Sequence, residues 1–179
     1  GEAFAALWPM KRFPILREGE RVVLEASVII EYLQVRHPGP VKLIPEDPDL
    51  ALEARMLDRV FDNYVMTPQG KFVYDSLRPA DQRDALGVDE ARTMLDTSYT
   101  WLDERMQGRT WAVGETFTLA DCAAAPALFY ADWTYPIPEA CTALKAYRRR
   151  LLDRPSFARA VNEARPFRHY FPLGAPDRD

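Results

Sequence analysis

Apolar and polar positions change their period twice along the chain. Phe13 to Leu16 and Arg21 to Leu24 are short apolar or β-branched runs around Arg17-Glu18-Gly19-Glu20, a composition that predicts a hairpin turn between two antiparallel strands. From Glu25 the step lengthens. Val28, Ile29, Tyr32, Leu33 and Val35 recur three or four residues apart until His37-Pro38-Gly39-Pro40 ends the run, which predicts one helix and then a linker. Two strands and one helix leave a sheet edge and an apolar helix face uncovered, so this β-β-α unit reads as part of a domain.

Beyond the linker the period stays helical. Leu50, Ala54, Leu57, Phe61 and Tyr64 fall on one face of a long helix, and Ala91, Leu95, Tyr99, Leu102 and Met106 on one face of another. Between them stand Pro68, Pro79 and Gly87; the first helix either bends at Pro68 or breaks there. The strongest local signal is Phe117-Thr118-Leu119-Ala120-Asp121-Cys122. Thr118 can cap a helix and Asp121, three residues on, can accept from the Thr118 amide, with Phe117 and Cys122 at the two staple positions. The helix that follows, Leu119 to Asp132, is alanine-rich and nearly uncharged, so it belongs in the middle of a bundle, with a bend expected at Pro126. Further helices are expected over Glu139–Leu152 and Ser156–Ala164, and the proline- and aromatic-rich tail from Arg165 is expected to pack as extended chain.

Composition narrows the partners. Among 179 residues, 47% are apolar, enough for a real core. The formal charge of -4, from 23 basic and 27 acidic residues, leaves no basic stripe for nucleic acid or an acidic membrane. No apolar run approaches the roughly 20 residues that cross a bilayer, and no signal pattern opens the chain. A cytoplasmic protein with small-molecule or protein partners is expected. Cys122 and Cys141 form neither a CxxC pair nor a disulfide framework and read as buried thiols. His37 and His169 have no Cys or carboxylate at metal-ligand spacing, so no metal site is expected. Arg148-Arg149-Arg150 reads as a solvated helix face, and no Ser-His-Asp grouping or phosphate loop appears.

Three segments carry a resemblance. Trp8-Pro9-Met10-Lys11-Arg12-Phe13-Pro14-Ile15-Leu16, Glu25-Ala26-Ser27-Val28-Ile29-Ile30-Glu31-Tyr32-Leu33 and Phe117 to Cys122 resemble, in order and spacing, the landmarks of the glutathione S-transferase superfamily. Arg154-Pro155-Ser156-Phe157-Ala158-Arg159-Ala160 is similar to that family's last helix. The resemblance implies an α+β, mostly α protein: residues 1–38 as the second half of a thioredoxin-like glutathione-binding domain, 39–48 as linker, and 49–179 as the family's all-helical C-terminal domain. It also implies that the residue acting on the thiol of glutathione lies before Gly1, in a segment expected to have been trimmed from the chain rather than lost by the protein. The catalytic residue is therefore unassigned.

The resemblance further implies a glutathione site. In the family the bond before Pro14 is cis, which exposes the Phe13 backbone for strand-like pairing with the cysteinyl amide; from the sequence alone Pro14 would be trans. Glu25 would meet the ammonium group of glutathione, and the helix N-terminus behind it the γ-glutamyl carboxylate; read without the resemblance, Glu25 simply caps the helix. The family's serine is Ala26 here, which keeps the N–H and loses a hydroxyl, with Ser27 as a displaced substitute about 100° round the helix. Arg12 stands where relatives hold the glycine carboxylate. Asn63, Tyr64, Thr67, Trp133 and the aromatic tail Phe167 to Phe171 are candidates for the second-substrate wall between the domains. The implied activity is conjugation of glutathione, as co-substrate, to a small hydrophobic electrophile, or a related glutathione-dependent reaction, by a homodimer. The alternative is a non-catalytic glutathione-binding or dimerising member of the same fold.

Overall fold

A computed structural model describes residues 1–179. The N-terminal part comprises α1 (Glu2–Leu7), β1 (Ile15–Glu18), β2 (Arg21–Leu24) and α2 (Ala26–Arg36). β1 and β2 form an antiparallel hairpin from Ile15↔Leu24 to Glu18↔Arg21. The turn is shorter than expected: Arg17 and Glu18 belong to the strand, leaving Gly19-Glu20 as a two-residue loop. Gly19 takes φ +59°, a left-handed conformation that glycine adopts without steric cost.

The bundle comprises α3 (Pro48–Phe61), a π turn (Asp62–Met66), α4 (Thr67–Ser76), α5 (Ala85–Met106), α6 (Leu119–Thr134), α7 (Thr142–Asp153) and α8 (Pro155–Ala164). Asp47 starts α3, its carboxylate accepting from the N–H groups of Asp49 (2.9 Å) and Leu50 (3.0 Å), with Pro48 at the first helical position. The choice left open at Pro68 resolves as a π turn just before it. A π turn takes more residues per turn than an α turn, so each advances by less than the ~100° of the α-helix. The inward stripe runs Ala51, Ala54, Leu57 and Phe61 along α3 and passes to Val65 in the π turn, while Leu50 and Tyr64, expected inside, are about half exposed.

α6 runs through the middle as expected. Ala120, Ala124, Leu128 and Ala131 are fully buried, and the core around them includes Leu95, Tyr99, Leu102, Leu144, Tyr147 and Leu151. Its start is fixed by Asp121, whose carboxyl group is wholly buried and accepts from the N–H of Ala112 (2.8 Å), the N–H of Thr118 (2.8 Å) and the Tyr147 hydroxyl (2.6 Å). Burial pushes this carboxyl above its usual range, against those same donors. The tail departs from expectation: Arg165–Tyr170 is a 3-10 helix continuing from α8, with Pro166 in its first turn, where a fixed φ suits a helical start.

The two parts meet along α2, α3 and the start of α6. The Gln34 amide accepts from the N–H groups of Leu43 (2.8 Å) and Ile44 (2.9 Å) and donates to the Ile44 carbonyl (2.9 Å), tying the linker to α2. Leu119 donates its N–H to the Leu43 carbonyl (2.8 Å), and its side chain packs with Ile44, Ala51 and Ile30. Arg55 on α3 holds Glu31 on α2 with two parallel bonds of 2.8 Å.

Truncating Asp121 to Ala strands three donors in a dry core at about 1–3 kcal/mol each. The Asp121→Ala variant is expected to lose at least about 3 kcal/mol of unfolding free energy in urea, and a loss under about 1 kcal/mol would refute this account of the α6 start.

Candidate functional site

Between the two parts lies a cleft of about 280 Å³, walled by Phe13, Pro14, Glu25, Ala26 and Ser27 on one side. Asp58, Arg59, Asp62 and Met66 of the bundle face them, with Cys122, Ala123 and Pro126 of α6. Five of the six residues expected to hold glutathione thus share one space. The Phe13-Pro14 bond is cis. The backbone N–H and C=O of Phe13 have no intramolecular partner, since pairing with β2 begins at Ile15. The Phe13 ring is exposed and stacks on Phe4 at 4.6 Å between centroids.

Glu25 carries the unusual geometry. Its backbone sits at φ +66°, ψ 124°, a region that costs a non-glycine residue of order 1–3 kcal/mol and persists only where neighbours over-determine it. Its exposed side chain makes no capping bond to α2. The plain capping role is therefore not the one it performs. Behind it, the N–H groups of Ala26 and Ser27 are free at the positive end of the α2 dipole.

Ser27 is committed elsewhere. Its Oγ lies 2.9 Å from both carboxylate oxygens of Asp58, to which it donates its one proton, and accepts from Arg59 at 2.9 Å. Asp58 is only 4% exposed, so this cluster is a tie between α2 and α3. The Ser27 N–H is free to reach a ligand, and its hydroxyl proton is spent on Asp58.

Arg12 stands outside this cleft. Its guanidinium lies 3.4 Å from the Tyr74 hydroxyl, in an adjoining recess that includes Thr67, Asp62 and Met66. Trp133 lies further round α6, in an aromatic chamber of about 500 Å³ under the tail. Tyr130 and Phe171 line both the recess and the chamber, and Pro126 lines both the chamber and the cleft, so the three spaces are neighbours. Asn63 and Tyr64 are exposed and line none of the three. The sequence signal for Asp58 was present: it falls on the inward stripe between Ala54 and Phe61, where a carboxylate needs a partner. Cys122 carried a helix-start signal that masked its place in the cleft. Burial pushes its thiol up to about 11, so it is no ready nucleophile at neutral pH.

A hairpin and helix carrying a cis-proline beside a positive-φ acidic residue, docked on an all-helical bundle, define a two-domain, thioredoxin-like-plus-helical class of protein. The family model "Glutathione S-transferase, C-terminal domain" matches residues 65–155, and the chain belongs to the glutathione S-transferase superfamily. The stringent starvation protein A homolog of Coxiella burnetii is 27% identical over 91% of this chain and 75% of its own length. FtsZ-localized protein A of Caulobacter vibrioides is 29% identical over 86% of this chain and 72% of its own. Among solved structures, a glutathione S-transferase of Methylobacterium radiotolerans in complex with glutathione sulfonate superposes with a TM-score of 0.76 at 28% identity, covering 88% of this chain and 76% of that one.

The thiol of Cys122 supplies a pH test. Its folded pKa lies above the unfolded value of about 8.5, so the stability held by the neutral thiol is complete below that pH and is lost as pH rises through about 11. Urea unfolding at pH 8, 9.5 and 11 is expected to show a smaller alkaline decline in Cys122→Ala than in the parent; equal declines would place the thiol in a more polar setting.

Proposed function

We propose that the chain binds glutathione in the cleft and uses it, as co-substrate, on a small apolar electrophile. The observation carrying this reading is Glu25: a carboxylate on a costly backbone conformation, making no cap bond, beside the free N–H groups of Ala26 and Ser27. Glutathione presents an ammonium and a carboxylate on one carbon, which this arrangement matches with opposite charge and with helix-terminal donors. The unpaired Phe13 backbone offers strand-like bonds to the central peptide of the ligand. Arg12 then faces the glycine end from the recess, and Thr67 and Trp133 stand on the side of the second substrate. The glutathione sulfonate complex of the Methylobacterium relative supports the ligand. A cytoplasmic location is part of this proposal; no helix is long and apolar enough to cross a membrane.

A non-catalytic, glutathione-binding role is the second reading, favoured by two relatives, a stringent starvation protein A homolog and an FtsZ-localized protein. Both readings include a homodimer. Leu52 and Met56 of α3 and Met94 and Trp101 of α5 are exposed apolar side chains, and Arg105, which lies over Trp101 and pairs with Glu53, ties the two helices there.

Retention on immobilised glutathione is expected for the protein, lost at least tenfold in Glu25→Ala and preserved in Ser27→Ala, whose backbone donor is intact. No retention by the parent sinks both readings, and undiminished retention by Glu25→Ala returns Glu25 to a structural role. Turnover of an aryl halide separates enzyme from binding protein. Sedimentation is expected to give a dimer that Trp101→Glu shifts to monomer.

A further inference from the structure

Buried polar side chains in this fold are spent, with one exception. Asp58, Asp75, Ser98, Thr118, Asp121 and Asp132 are each buried and each hydrogen-bonded within the chain. Gln69 of α4 is equally buried, at 5% exposure, and its carboxamide makes no hydrogen bond. It stands four residues after Val65, on the stripe that the π turn carries inward, where a helix normally places an apolar side chain. The amide is not sealed. The unpartnered side-chain nitrogens cut off from solvent are those of Arg105, Trp133 and Arg148, and Gln69 lines the recess beside the cleft.

That recess, of about 610 Å³, is walled by α4 from Thr67 to Tyr74, by Tyr130 and by Phe171, and it includes Arg12. Its other polar groups are engaged or wet. Thr67 Oγ1 donates to the Asp62 carbonyl (3.0 Å), the Tyr74 hydroxyl accepts from Arg12 (3.4 Å), and Asp62 pairs with Arg59 (3.1 Å), which also serves Asp58. Arg12 and Tyr74 are exposed and Asp62 is half exposed, so water screens what they offer a guest. The nearly dry carboxamide of Gln69 is therefore the group that discriminates.

A primary amide holds an N–H donor and a carbonyl acceptor side by side. A carboxylate would meet the donor and repel the carbonyl oxygen, an ammonium would do the reverse, and an ester would leave the oxygen unpaired. A primary carboxamide or a lactam answers both groups at once. A carboxylic acid has the same pattern only when protonated, well below neutral pH.

We propose that the recess takes an otherwise apolar guest through a primary carboxamide or lactam, whose carbonyl accepts from the Gln69 side-chain N–H and whose N–H donates to the Gln69 side-chain oxygen. The proposal deepens the glutathione reading, resting on it for the guest's role as second substrate, and names the chemical class of that substrate. The contact itself needs nothing from Glu25 or Phe13.

Three probes share one ring: 4-chloro-3-nitrobenzamide, its methyl ester counterpart methyl 4-chloro-3-nitrobenzoate, and the 4-chloro-3-nitrobenzoate anion. Calorimetric titration of the protein without glutathione is expected to rank the amide first. Gln69→Leu keeps the volume and suits the inward stripe, so its unfolding free energy is expected not to fall, while the amide-to-ester affinity ratio is expected to drop roughly three- to tenfold, the worth of one hydrogen bond. In the parent protein the Gln69 side-chain NH2 resonances are expected to shift more with the amide than with the ester, a readout that does not depend on any variant folding. An affinity ratio that survives Gln69→Leu, tightest binding by the anion, unmoved Gln69 resonances, or no binding of any probe overturns the proposal. Glutathione retention measured on Gln69→Leu is expected to be unchanged. No retention by the parent alongside an intact amide preference overturns the glutathione reading alone, and the reverse result overturns the carboxamide site alone.

Discussion

The buried carboxyl of Asp121 is the constraint on which the rest of the molecule depends. It gathers the loop at Ala112, the first turn of α6 at Thr118 and the middle of α7 at Tyr147 onto two oxygen atoms. Desolvating that group is unfavourable, and the three donors offset the penalty only while all are in place, so the arrangement is cooperative. Its consequence is positional. Once the first turn is fixed, every residue of α6 has a set direction, and the chain continues through Pro126, which has no N–H to give the carbonyl of Cys122.

From that fixed helix the cleft and the chamber follow. Leu119 carries the linker through its N–H and meets α2 through its side chain, which seats the hairpin and α2 against the bundle. Cys122, Ala123 and Pro126 then close the cleft behind Phe13 and Glu25, while Phe129, Tyr130 and Trp133, one and two turns on, open to the chamber. Glu31–Arg55 and Ser27–Asp58–Arg59 add polar ties between α2 and α3. α6 is a shared wall, so a side chain displaced on one face is felt on the other through close packing.

Much of this was legible in the sequence because the signals were local. The capping pattern at Thr118 and Asp121, the change of period at Glu25 and the alanine run after Leu119 each need only neighbours in the chain to be read. What failed was set at a distance or by phase. Leu50, in the first turn of α3, lies one residue off the true stripe, and Tyr64 lies in the π turn, which has no sequence signature beyond Pro68 and which puts Val65 inward in its place. Residues 165–170 have a composition that suits extended chain, yet Pro166 at a helix start favours continuing from α8. Phe13, Pro14, Glu25, Ala26 and Ser27 were found through their order in a known pattern. Asp58 and Cys122 reach the cleft from other elements and were missed.

The same geometry separates residues whose polar groups are spent on the fold from those whose groups are left free. Asp121 is filled by donors on every side, Gln34 makes three bonds to the linker, and the Ser27 hydroxyl both gives and receives. By contrast the Glu25 carboxylate, the N–H of Ala26, the backbone of Phe13 and the indole N–H of Trp133 are unpaired, and three of these four line one cleft. A group exposed to water loses little by this. Trp133 is different: its N–H is buried, so leaving it unpaired costs about 1–3 kcal/mol, with no structural return. The two other buried nitrogens without a hydrogen-bond partner, Arg105 Nε and Arg148 Nη2, belong to guanidiniums that keep an ion pair, to Glu53 and to Asp132, which offsets part of the loss.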